Sequence, residues 1–135
     1  MENQEFSNEE LISILHKDVV CWKLNLEFAE TKILFINRLL NSSAFKQQIP
    51  NLFERLEQFK LQIRTETSAL ENLKEDVNNY ESKIQNLAEC EHLFCDADYL
   101  KNLDILKTQF EQFSKTLGDL SSKIFNYTGA ILKNT

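Results

Sequence analysis

Residues 8–40 read NEELISILHKDVVCWKLNLEFAETKILFINRLL, and the way this stretch must be covered decides the fold of the whole chain. Taking Ile12, Leu15, Val19, Trp22, Leu26, Ala29, Ile33, Ile36 and Leu40 in turn, the gaps alternate 3 and 4 without a miss. Apolar residues at that spacing fall on one stripe of an α-helix, the a/d seam of a coiled coil. The other side of the same helix carries a second apolar line: Ile14, Cys21, Leu24, Phe28 and Phe35, with Val20 and Leu34 beside it. Lys17, Thr31 and Arg38 interrupt that line, as polar residues rim an interface.

Left in water, the second line would expose roughly 500 Å² of apolar surface, large for a monomer. At about 25 cal/mol per Å², covering it is worth roughly 10 kcal/mol gross. A helix with two apolar faces needs two neighbours. The second face is therefore the expected interface, most simply that of an isologous homodimer, although another protein partner would serve the same physics.

The ends of this helix are marked. Ser7 with Glu10 fits a capping box, in which each side chain satisfies the other's backbone amide, and Phe6 with Leu11 fits a hydrophobic staple. Asn41-Ser42-Ser43 should stop the helix, because their side chains compete for backbone hydrogen bonds.

A second helix is expected from about 43 to 89, with Pro50 either kinking it or sitting in its first turn. Its seam is Ile49, Leu52, Leu56, Phe59, Ile63, Glu66, Leu70, Leu73, Val77, Tyr80, Ile84 and Leu87, broken only by Glu66. The remaining faces are strongly polar, with Leu61 the main exception; Asn51, Gln58, Asn72, Asn79 and Asn86 share one line. Beyond Leu87 the pattern would place Glu91, Phe94, Asp98 and Lys101 on the core line, so a connection is expected at roughly 90–96. Asp96 with Asp98 fits an N-cap and acidic first turn for a third helix, about 97–132. That helix carries Tyr99, Leu103, Leu106, Phe110, Phe113, Leu117, Leu120, Ile124, Tyr127 and Ile131 at the same alternating spacing.

Three long helices with short connections predict an all-α, antiparallel up-down-up bundle with coiled-coil-like packing, one domain over residues 1–135. If Leu40 stacks near Ile49, facing residue numbers of the first two helices add to about 89, which puts Glu66 beside Trp22 and Lys23. If Leu87 stacks near Tyr99, those of the second and third add to about 186. On this register the end of the second helix overhangs the start of the first by about 15 Å, and Tyr80, Ile84 and Leu87 pack only against the third.

Composition narrows the function. With 2 Gly and 1 Pro, the tight turns of an all-β architecture are excluded. A net charge of −6, with 15 basic residues scattered among 21 acidic ones, argues against a nucleic-acid partner. No apolar run approaches the roughly 18–20 residues of a membrane span. Residues 1–5 show none of the basic and apolar regions of a signal peptide, so the expectation is a cytoplasmic protein whose Cys21, Cys90 and Cys95 are reduced thiols.

Several groupings could carry chemistry. Cys90-x-His92-x-x-Cys95 offers three zinc-type ligands, but a structural zinc normally takes four in two pairs, and no second pair exists. Glu89-x-x-His92 matches half of a di-iron carboxylate signature, whose other half is missing because Ser13 precedes His16. The plainer reading is an acidic turn with small thiols; a metal-binding or redox-sensing bundle is the alternative. Glu2, Glu5, Glu9 and Glu10 should fall at the same end as Glu89, Glu91, Asp96 and Asp98, where carboxylates complement helix N-termini. Glu66 could act as a buried base, yet no His, Ser or Cys nucleophile is placed near it; a register-fixing pair with Lys23 or the Trp22 indole is the simpler expectation.

Gly118 lies on an outer position of the third helix, marking a close contact or simple drift. An apolar void around Trp22 could hold a small molecule. Nucleophile motifs, phosphate loops and HExxH are absent from the sequence, so no enzyme and no cofactor are expected. What remains is an interaction or scaffold bundle.

Overall fold

A computed structural model of the chain describes residues 8–45, 49–87 and 94–133. It is an all-α bundle of three helices: α1 (Asn8–Leu40), α2 (Leu52–Leu87) and α3 (Phe94–Lys133). From Leu15 onward every seam residue of α1 is at most 8% exposed, and so is every seam residue of α2 from Leu52 to Ile84. On α3, Leu106, Phe113, Leu117, Leu120 and Ile124 are buried, while Leu103, Phe110, Tyr127 and Ile131 pack partly buried against them. The 3,4 spacing of each seam is what gathers these side chains into one continuous core.

α2 is the central element, with α1 and α3 packed antiparallel along it. The backbones of α1 and α3 stay further apart and meet through rings. Trp22 stacks on Phe110 with centroids 6.2 Å apart, and Phe35 leans on Phe125 at 6.1 Å. The core of α3 is wider than its apolar seam. Ser121 and Thr128 are also buried, their hydroxyls donating to the carbonyls of Leu117 (2.6 Å) and Ile124 (2.7 Å). A hydroxyl satisfied by its own helix needs no partner from a neighbouring one, so it can enter the core at little cost.

α1 stops where Asn41-Ser42-Ser43 predicts. The Asn41 amide N–H donates to the Asn37 carbonyl, its Nδ2 donates to the same oxygen at 2.7 Å, and Ser42 N–H reaches back to Leu39. The Ser42 hydroxyl then accepts from Ala44 N–H at 3.1 Å, a local turn that competes with helix.

The second helix differs from expectation. It begins at Leu52, not near Ser43. A helix running through Pro50 would lose a backbone hydrogen bond and clash one turn back, and Ile49, preceding proline, is disfavoured in helical geometry. Instead Leu52 N–H donates to the Ile49 carbonyl at 3.2 Å, and Asn51 takes φ 61°. Proline second and a positive-φ asparagine third is the pattern of a type II turn. The Asn51 carbonyl then accepts the first helical bond, from Arg55 N–H at 3.0 Å.

This turn corrects the register between α1 and α2. Lys23 pairs with Glu81, and Glu30 with Lys74 at 2.9 Å. Lys23 therefore sits about four turns along α2 from Glu66. The overhang lies at the opposite end from the expected one: the first turns of α2 and the last of α3 project past Leu40. Tyr80 is not left to α3 alone, since Trp22 packs on it at 6.1 Å. Phe45, only 8% exposed, joins the core from the connection and supplies apolar cover beyond the end of α1. Between α2 and α3 the expected register holds, with Phe59 edge-on to Tyr127 at 5.8 Å.

α3 begins at Phe94, three residues earlier than expected. No Gly or Pro interrupts 94–97, so the helix starts ahead of the expected Asp96 cap and takes Asp96 and Asp98 into its opening turns. The Ser7 cap and Phe6 lie outside the described residues, as do the side chains of Leu11, Ile12, Leu87 and Tyr99. No described helix is long and apolar enough to cross a membrane.

A candidate protein-interaction face

The geometry of α1 follows from where its two neighbours lie. Lys23 and Glu30 point α2 to one flank, and Trp22 and Ala29 border α3 on the other. The line Ile14, Cys21, Leu24, Phe28 and Phe35 faces outward, meeting α3 only along its edge, where Phe35 touches Phe125. Phe28 is 67% exposed, Leu24 60%, Phe35 56% and Ile14 41%. Val20 and Leu34 beside them are exposed too, and Cys21 is an exposed free thiol. All five predicted residues therefore share one outward face.

The surroundings add detail. Lys32 holds its ammonium 6.0 Å from the Phe28 ring centroid, a cation–π geometry at the edge of the apolar strip. Phe125 of α3, 37% exposed and against Phe35, extends the strip beyond α1. Sequence reasoning missed it, although the signal was available: Phe125 lies off the α3 seam, next to Ile124. A shallow groove of about 240 Å³ separates α1 from α3 beside Phe28, with Ser114 and Gly118 on its far wall. A Cβ on Gly118 would meet nothing within 4 Å, so no close contact inside the chain calls for that glycine.

Glu66 is the other feature singled out by pattern. It is 8% exposed on α2. It lines two open grooves against α3, beside Phe113, Thr116 and Leu120. The register places Trp22 and Lys23 far from it, so the expected pair does not form; Lys23 is taken by Glu81. Among the described residues no hydrogen bond or ion pair is recorded for its carboxyl, and burial pushes that carboxyl above its ordinary value. The larger groove, about 490 Å³, is rimmed by Asn72, Glu75, Asp76, Gln109 and Gln112 over apolar Ala69, Leu73 and Phe113.

Trp22 is 8% exposed and held between the rings of Tyr80 and Phe110, so protein side chains fill the space proposed for a small molecule. Cys90 and His92 lie outside the described residues, and so does the side chain of Cys95. Among the described residues no group of three His, Cys, Asp or Glu side chains could hold a metal ion. The acidic cluster at the α1 and α3 starts likewise falls mostly outside the described residues; Glu10 is exposed.

No protein-family model matches the chain, and neither a curated protein nor a solved structure is detectably similar to it.

Proposed function

We propose that this chain is a non-catalytic, cytoplasmic interaction or scaffold bundle that forms a homodimer through the outer face of α1. The observation that carries the reading is Phe28: a ring two-thirds exposed at the middle of a strip with Leu24 and Phe35, on a helix whose other side is fully used. Isolated exposed apolar residues are ordinary, whereas a contiguous strip of this size marks an interaction site. The exposed Cys21 thiol suits a reducing compartment. The reading assigns no catalytic residue, metal or cofactor.

Sedimentation at micromolar concentration tests it. The expected result is a dimer for the unaltered chain and a folded monomer for Phe28→Asp, with helical circular dichroism kept and dimer affinity at least about 100-fold weaker, since each dimer buries two such rings. A monomeric unaltered chain at 50-fold higher concentration refutes it.

A further inference from the structure

The outer line of α1 has an internal symmetry that specifies how two copies meet. Filling its polar gaps, the residues are Ile14, Lys17, Cys21, Leu24, Phe28, Thr31, Phe35 and Arg38, again spaced 3 and 4 throughout. This is a second a/d seam on the face away from α2 and α3. We propose that a second copy of this chain docks on it antiparallel, about a two-fold axis at the level of Leu26.

In that arrangement Leu24 meets Phe28 of the second copy, Cys21 meets Thr31, Lys17 meets Phe35, and Ile14 meets Arg38. Each layer joins an a position to a d position, the way antiparallel helices interdigitate. The four most central side chains, Leu24 and Phe28 from both copies, are the most exposed of its large apolar residues. Long Lys17 and Arg38 stems can lie along Phe35 and Ile14 with their charged ends in water.

Complementarity on the flanks supports the same alignment. On one flank Asp18 comes within two residues of the level of Lys32 of the second copy, twice by symmetry. Both side chains are only half-buried, and neither has an ion pair among the described residues. On the other flank Val20, 43% exposed, comes level with Leu34, 56% exposed, also twice. Glu27 meets its own copy on the axis, a single like-charge contact in solvent.

A parallel pair gains two Glu27–Lys32 contacts but stacks Lys17 on Lys17 and Arg38 on Arg38 within the seam. It also sets Val20 against Asn25. Sliding the antiparallel pair by one heptad leaves Ile14 and Lys17, or Phe35 and Arg38, without an opposite number. The apolar area covered, roughly 500 Å² from each copy, brings the pair to about 1,000 Å², the least that a specific interface is expected to bury.

This inference rests on the dimer reading above, and the test separates the two. With Cys90 and Cys95 replaced by serine, the chain keeps Cys21 alone, and Thr31→Cys adds its opposite number. Within one helix residues 21 and 31 are about 15 Å apart, too far for a disulfide. Mild oxidation is expected to link Cys21 of one copy to residue 31 of the other, identified by mass spectrometry as the peptide 18–23 joined to 24–32. The chain with Cys21 alone should stay unlinked.

Cys21 joined to Cys21 overturns the antiparallel arrangement while leaving a dimer. A dimer by sedimentation with neither link overturns the alignment, and a monomer removes the underlying reading instead. As a second arm, Lys32→Asp should weaken dimerisation about tenfold, the equivalent of about 1.4 kcal/mol. Adding Asp18→Lys should restore it to within about threefold of the original. Failure of that rescue, with Lys32→Asp still folded, counts against the register.

Discussion

Two lines with the same 3,4 spacing run along α1, the inner one apolar throughout and the outer one apolar with polar gaps, and they have opposite fates. Leu26 on the inner line is 2% exposed, whereas Leu24, two residues away, is 60% exposed. Periodicity identifies a face that can be buried; the number and placement of neighbours decide whether the chain itself buries it. Here α2 and α3 take one side of α1 between them, and among the described residues the outer line meets the rest of the chain chiefly at its edge, where Phe125 touches Phe35.

Substitutions can break that contrast. The largest effect belongs inside: Leu26→Ala should lower unfolding free energy by about 3 kcal/mol, through lost apolar transfer and the cavity left behind. Under conditions where the chain is monomeric, Phe28→Asp should change it by less than about 0.5 kcal/mol, as surface positions do. Urea denaturation of both variants measures the difference. Equal losses would mean the outer face is structural after all.

A smaller effect distinguishes the α2–α3 packing from that of α1. Burial raises the Glu66 carboxyl above its ordinary value of 4.5, so the folded chain holds this proton more tightly than the unfolded chain. That contribution to stability is complete below the unfolded value and is lost as pH rises through the folded one. Glu66→Gln should therefore gain about 1 kcal/mol at pH 7 and little at pH 4, read as converging denaturation midpoints on acidification. If the gap stays constant with pH, the carboxyl is not desolvated in solution.

The smallest effect is expected at the polar seam of α1 and α2. Lys23→Ala removes an ion pair whose members are 39% and 24% exposed, and should cost less than about 1 kcal/mol, shrinking with salt.

How far the sequence carried depends on the length of the connections. Every described seam residue proved buried or half-buried, because the 3,4 pattern is a direct statement about one helix face. The α2–α3 register was legible too, since a short connection leaves little freedom, and Phe59 meets Tyr127 as expected. The α1–α2 register was not. It depended on starting the second helix near residue 43, whereas the turn at Ile49-Pro50-Asn51 starts it at Leu52. Glu66 was consequently matched to the wrong neighbours, although its place on the core line was right. Ser121 and Thr128 escaped notice because a hydroxyl bonded to its own helix leaves no mark in a hydrophobic pattern. The exposed apolar strip on α1 was visible in the pattern, while its extension to Phe125 needed the three-dimensional neighbour.

The position of α2 between the other two helices has a consequence for local opening. Either outer helix can peel away and leave a helical hairpin behind, but α2 cannot detach without dissolving everything. Amide hydrogens near Leu70 and Leu73 should thus exchange with solvent only through global unfolding, and those of α1 and α3 should exchange sooner. Dimerisation would then slow exchange in α1 ahead of α3, so the ranking of the three helices reports on the assembly as well as on the chain.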